Sequence, residues 1–133
     1  MADTPDYVNG EPAPVPNGGA SMHDLVCIDL RGHMLAHLRV SDMTKAQMLD
    51  YLRYRKAYGL NKYGTILQAN NGRNSRQDAL EEVVDLLVYL KQMTVEFPDD
   101  GYAVVAYAGA VSVYANIIKS MNVNGSVRYV VTP

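Results

Sequence analysis

The sequence predicts an α+β protein with an N-terminal β-hairpin, a central pair of helices and a C-terminal β-α-β unit. Short apolar, β-branched runs near both ends favour strands, whereas two long central segments carry helix-capping residues and helical periodicity. The chain has 133 residues and an apolar share of 48%, which suffices for one hydrophobic core. We therefore expect one domain over residues 22–133.

Residues 1–21 have a composition typical of a flexible arm. Four prolines lie at positions 5, 12, 14 and 16, and glycines lie at positions 10, 18 and 19. Such a segment cannot bury enough apolar surface to offset its ordering entropy. If this arm becomes ordered, a partner is expected to hold it.

The first folded element is predicted to be a β-hairpin. Residues 25–30 and 34–40 are two strand-like runs, and Arg31-Gly32-His33 between them suits a short turn. Cys27 lies in the first run and has no second cysteine with which to pair. We interpret it as a small buried hydrophobe in a reducing compartment.

Helix one is predicted from Thr44, which starts a capping-box pattern with Gln47, to a stop at Gly59. Four basic residues lie towards its C-terminal end and beyond it, interspersed with tyrosines. They are Arg53, Arg55, Lys56 and Lys62, with Tyr54, Tyr58 and Tyr63 among them. This pattern indicates either simple complementarity to the helix dipole or an anion site in which a ring stacks on a base.

Helix two is predicted from a cap at Ser75 to about Thr94. Its apolar residues fall on one face and its carboxylates on the opposite face. The acidic face comprises Asp78, Glu81, Glu82 and Asp85. It is either an ordinary solvated face or a metal-binding face.

The C-terminal part is predicted to be a β-α-β unit. Residues 102–108 are expected to form a strand, residues 110–121 a helix and residues 126–131 a second strand. Asn124-Gly125 supplies the turn between the last two elements.

The segment between the two central helices is the best candidate for a binding site. A basic, glycine-containing loop runs directly into a helix start, where unpaired N–H groups and the helix dipole favour anions. The predicted phosphate- or nucleotide-binding residues are Lys62, Tyr63, Asn71, Arg73 and Arg76. Glu82, Asp85 and Asp78 are the predicted ligands of a possible Mg²⁺ ion.

Two patterns stand out in residues 62–92, namely K-Y-G-x-x-L-Q-x-x-N-G-R from Lys62 to Arg73 and D-A-x-E-E-x-x-D-x-x-x-Y-L-x-Q from Asp78 to Gln92. With these patterns, residues 62–92 resemble phage-encoded proteins related to the MazG-like, all-α nucleotide pyrophosphohydrolases. The resemblance implies handling of a nucleotide with Mg²⁺ held by an E-x-x-E helix and an E-x-x-D helix. Glu82-Val83-Val84-Asp85 matches the second motif, but no E-x-x-E lies upstream.

The missing motif favours binding or sequestration of a nucleotide or cyclic nucleotide signal over hydrolysis, and whether the chain is an enzyme stays open. The alternative is a structural or assembly protein, such as a small virion component that uses the arm. Abundant tyrosine suits either function, and we expect a homo-oligomer.

Charge and hydropathy restrict the partners and the location. The formal net charge is −2, which disfavours extended duplex nucleic acid as a partner. The N-terminus lacks signal-peptide features, and we expect no apolar run to reach membrane-spanning length. The sequence thus predicts a cytoplasmic protein, in the host cytoplasm if phage-encoded, or a virion-associated one.

Overall fold

The computed structural model describes residues 7–8, 11–32 and 39–124. Their regular secondary structure is helical apart from an isolated antiparallel bridge between Ser21 and Gln68 and a short antiparallel pair of two-residue strands, β1 (Tyr7–Val8) and β2 (Glu11–Pro12). The helices are α1 (Met22–Arg31), α2 (Asp42–Tyr63), α3 (Ser75–Glu96) and α4 (Gly101–Asn124). The predicted α+β class is therefore wrong.

The chain divides into two compact units, residues 1–73 and residues 74–133. The first contains the strand pair, α1, α2 and the segment that follows α2, and the second contains α3 and α4. The expectation of one domain behind a flexible arm stays a prediction.

Helix α1 replaces the first strand of the predicted hairpin. Ser21 caps it by accepting a hydrogen bond from the Asp24 backbone N–H at 3.3 Å. Cys27 and Leu30 are buried and lie three residues apart, which is a helical spacing. The burial of Cys27 agrees with its prediction as a buried hydrophobe. The predicted second strand, residues 34–40, lies largely outside the described residues. Residues 39–40 are described, and they do not form a strand.

Helix α2 begins earlier and ends later than predicted. Its cap is Ser41, whose hydroxyl accepts from the Thr44 N–H at 3.1 Å. The helix continues through Gly59 and ends at Tyr63, because Gly64 adopts the left-handed conformation with a φ of 75°. No residue of α2 is buried, although it packs against α1.

Helix α3 agrees with the predicted helix two, with Asn74 rather than Ser75 as the cap and Glu96 as the last residue. It packs against α4 in a helical hairpin through residues spaced alternately three and four apart. In α3 the buried members of this series are Leu80, Val83 and Leu90, and in α4 they are Ala103, Ala110 and Met121.

Helix α4 overturns the predicted β-α-β unit. Residues 102–108, expected to be a strand, and residues 110–121 belong to one continuous helix. The Asp100 carboxylate fixes its start by accepting from the N–H groups of Tyr102 at 3.0 Å and Ala103 at 3.3 Å. The predicted final strand, 126–131, lies outside the described residues.

Candidate functional site

The segment between α2 and α3 is a tightly turned loop, residues 64–73, which we call the signature loop. Three of its residues have positive φ angles, namely Gly64 at 75°, Asn70 at 57° and Gly72 at 87°. Glycine and asparagine are the residues that adopt this conformation most readily. Gly64 and Gly72 of the predicted binding motif, together with Asn70, therefore have a backbone role.

The signature loop binds the C-terminal part of the arm within the same chain. The Gln68 side chain accepts a hydrogen bond from the Asn17 N–H at 3.1 Å and donates one to the Gly19 carbonyl at 2.6 Å. The Asn17 amide in turn donates to the carbonyls of Ala69 at 2.7 Å and Asn70 at 2.9 Å. This part of the arm is thus held by hydrogen bonds of its own chain.

Two predicted phosphate-binding residues take part in holding the arm. Arg73 Nη1 donates to the Pro12 carbonyl at 3.0 Å. Asn71 is buried, its backbone carbonyl accepts from the Val15 N–H at 2.8 Å, and its side chain accepts from the Arg73 N–H at 3.1 Å. A binding role for Asn71 and Arg73 stays a prediction, and any such role would be added to this structural one.

Lys62 and Tyr63 lie in an exposed cluster of cations and aromatic rings at the C-terminal end of α2. Lys62 Nζ lies 5.2 Å from the centroid of the Tyr63 ring and 5.8 Å from that of Tyr58. The Arg55 guanidinium lies 4.4 Å from the Tyr58 centroid. Hydrogen bonding with the Tyr63 side chain, with a smaller effect of Tyr58, raises the pKa of Lys62 above its ordinary value. Lys62 is therefore positively charged at neutral pH.

Arg76 belongs to the second unit, where its Nε donates to the Ser120 hydroxyl of α4 at 3.1 Å. One of the N–H groups at the start of α3 is already occupied, because Asn74 Oδ1 accepts from the Gln77 N–H at 3.2 Å. The predicted phosphate-binding residues are thus divided between two units, and their joint action stays a prediction.

The predicted metal ligands lie along α3. Glu82 and Asp85 are exposed and Asp78 is half-buried. The described part of the chain contains no group of three or more His, Cys, Asp or Glu side chains arranged to hold a metal ion. The Mg²⁺ site stays a prediction.

Sequence reasoning missed two sets of residues. Asn17 and Gln68 form the arm contact. The only sequence signal for it was that Gln68 belongs to the pattern from Lys62 to Arg73. Tyr51 extends the aromatic cluster, and its spacing of three and seven residues from Tyr54 and Tyr58 would have indicated a shared helix face.

Helix α4 also corrects the expectation about membrane-spanning length. Residues Gly101–Val123 form a helix that is long and apolar enough to cross a membrane, and 11% of its most apolar window is buried. Core helices of soluble proteins meet the same length and composition criteria, so the cytoplasmic or virion-associated location stays a prediction.

Comparison of the chain with protein families, with curated proteins and with solved structures gives no match. The MazG-like resemblance therefore rests on the residues quoted above.

Proposed function

We propose that this chain binds a nucleotide, ordinary or cyclic, at the C-terminal end of α2 without hydrolysing it. The observation that carries the proposal is the exposed cluster in which Arg55 and Lys62 lie over the rings of Tyr58 and Tyr63. Cations bind phosphate oxygens, and tyrosine rings stack on bases. The cluster offers both kinds of contact within one helical end.

Two further points support a nucleotide ligand. The cluster directly precedes the signature loop, whose sequence resembles MazG-like proteins. The helical fold of the described residues is also of the same class as the all-α architecture that this resemblance implies. Binding rather than turnover agrees with the lack of an upstream E-x-x-E motif, because Mg²⁺-dependent hydrolysis needs several carboxylates to anchor the ion.

Mg²⁺ enters the proposal as a separate ligand of α3. Glu82 and Asp85 lie one helical turn apart on α3, and both are exposed. Two neighbouring carboxylates suit the preference of Mg²⁺ for hard oxygen ligands. A phage protein with these properties would sequester a nucleotide signal in the host cytoplasm.

A thermal-melt panel of ordinary and cyclic nucleotides, with and without Mg²⁺, tests the proposal. A ligand at about a hundred times its Kd stabilises a protein by about 2.7 kcal/mol. We expect Lys62→Ala to remove most of this stabilisation, whereas Lys45→Ala at the other end of α2 should retain it. Arg73→Ala is less informative, because Arg73 also holds Pro12 of the arm.

The absence of a shift for every nucleotide with the wild-type protein would refute the proposal. Equal shifts for wild type and the Lys62 variant would place the ligand elsewhere and would also refute this assignment. Glu82→Gln and Asp85→Asn should remove the thermal shift that Mg²⁺ produces by itself and leave the shift that the nucleotide produces unchanged.

Assembly is the second candidate function, and the surface of the α3–α4 hairpin favours it. The hairpin packs along one face of each helix, while other large apolar side chains of both helices are exposed. They include Leu86, Val88, Val95, Val104, Val105, Val111 and Val113. A second copy of the hairpin would complete a four-helix arrangement, and stable interfaces bury about 800 Å² on each partner.

Sedimentation velocity tests the assembly candidate. We expect wild type to form an oligomer that Val111→Glu dissociates, because the charge would enter the apolar interface. Gln47→Glu adds one negative charge at an exposed position of α2, away from the α3–α4 hairpin surface, and serves as the control. A monomeric wild type would contradict homo-oligomeric assembly, and deletion of residues 1–20 would show whether the arm contributes.

A further inference from the structure

Five residues of α2 form a continuous exposed surface that we call the tyrosine stripe. At 100° per residue, all five fall within an arc of about 100° on one side of the helix. They are Tyr51, Tyr54, Arg55, Tyr58 and Lys62. The stripe extends the nucleotide-binding cluster towards the N-terminal end of α2.

The tyrosine rings are spaced regularly and are open to solvent. Their centroids are 5.6 Å apart for Tyr51 and Tyr54 and 6.4 Å apart for Tyr54 and Tyr58. Neighbouring rings are tilted by 40° and 37°, so they do not cover one another as parallel stacks. The exposed fractions are 65%, 57% and 40% along the series. Ring surface therefore remains available for stacking along about 10 Å of helix.

The charges of α2 favour an anionic partner. The helix has five cations and two carboxylates, although the whole chain has a net charge of −2. Arg53 pairs with Asp50 at 3.2 Å, and Lys56 pairs with Asp24 at 2.8 Å. Arg55 and Lys62 instead lie over tyrosine rings, and α2, which is described throughout, has no carboxylate at a stripe position.

We propose that the tyrosine stripe binds single-stranded nucleic acid, with successive bases on the tyrosines and the backbone phosphates near Arg55 and Lys62. This inference rests on the proposed function, because the Lys62 end of the stripe is the proposed nucleotide site, and it extends the ligand from one nucleotide to an oligonucleotide. Every base has a face that can stack on a ring, so the stripe accepts any sequence. Duplex nucleic acid does not fit, because its bases are already stacked on one another.

Fluorescence anisotropy with a labelled oligothymidylate of about eight nucleotides tests the inference, since known single-strand sites span about 4–16 nucleotides. We expect the oligonucleotide to bind more tightly than thymidine monophosphate. Tyr54→Ala should weaken oligonucleotide binding at least about fivefold, as expected for loss of one stacked base. Tyr89→Ala, an exposed tyrosine on α3, should have no effect.

The salt dependence tests the charge contribution separately. Two phosphate contacts predict a slope of about −1.4 for the logarithm of the association constant against the logarithm of salt concentration. Arg55→Gln should reduce the magnitude of this slope by about 0.7.

The outcomes separate this inference from the proposed function. Tyr51→Ala should weaken oligonucleotide binding and leave mononucleotide binding unchanged, because Tyr51 lies about 16 Å along the helix from Lys62. Equal affinity for mononucleotide and oligonucleotide, with no effect of Tyr51→Ala, would overturn the stripe and leave the nucleotide site intact. Binding of the oligonucleotide alone, lost in the Tyr54 variant, would support the stripe and count against a mononucleotide ligand. If Tyr54→Ala dissociated an oligomer that binds no oligonucleotide, the stripe would be a protein interface and the inference would be overturned.

Discussion

Gln68→Leu should release the arm from the signature loop. Gln68 is 6% exposed, and its side chain makes two hydrogen bonds, one with the Asn17 N–H at 3.1 Å and one with the Gly19 carbonyl at 2.6 Å. A typical hydrogen bond contributes about 0.5–1.5 kcal/mol net, so losing both should destabilise the docked arm by about 1–3 kcal/mol. Leucine fills a volume similar to that of glutamine without hydrogen-bonding groups, which limits the contribution of lost packing.

Native-state hydrogen exchange of the arm is the appropriate assay. The Val15 and Asn17 N–H groups donate across the arm contact, so their exchange reports its local opening. A loss of about 1–3 kcal/mol corresponds to about five- to 150-fold faster exchange at these two amides. Gln47→Leu, at an exposed position of α2, is the matched control and should leave both rates unchanged.

Unchanged exchange of Val15 and Asn17 in Gln68→Leu would refute the reasoning, because it would mean that Gln68 does not hold the arm. A uniform increase at all amides, including those of α3, would instead indicate global destabilisation and would also contradict a local role.

Three further predictions concern stability. Asp100→Ala should destabilise the protein by about 1 kcal/mol through loss of the α4 cap, and Asp99→Ala should have no comparable effect in the same thermal melt. Met121→Ala should cost about 2–5 kcal/mol in denaturant unfolding, because Met121 is fully buried and its truncation leaves a cavity; a loss below about 1 kcal/mol would contradict its place in the hairpin core. Lys56→Ala should change the free energy of unfolding by no more than about 1 kcal/mol in the same denaturant experiment, because its 2.8 Å ion pair with Asp24 is solvent-exposed. A larger loss would contradict this and would show that the pair fixes α1 on α2.

The arm contact changes how the K-Y-G-x-x-L-Q-x-x-N-G-R pattern is interpreted. Gln68, Asn71 and Arg73 belong to this pattern, and each makes a hydrogen bond that holds the arm or the loop. A loss of ligand binding in variants of these residues would therefore combine two effects. Variants of Lys62 and of the stripe tyrosines test the proposed binding without a direct effect on the arm, because none of the described arm contacts involves these residues.

The sequence alone determined the two central helices and the concentration of basic and aromatic residues near the end of α2. These features depend on local signals, since capping residues, helical periodicity and a glycine in the left-handed conformation act within a few residues. Within these two helices, the predicted caps at Thr44 and Ser75 and the stop at Gly59 were wrong, because Ser41, Asn74 and Gly64 satisfy the helix termini.

The tertiary structure decided the elements whose local signals are ambiguous. Residues 25–30 and 102–108 are short apolar runs, and such a run suits a strand or a helix equally until its packing partner is known. In α4 the partner is α3, and the alternating spacing of three and four residues that buries Ala103 and Ala110 is available only to a helix. The docking of the arm on the signature loop likewise depends on contacts about fifty residues apart in sequence, which no local pattern encodes.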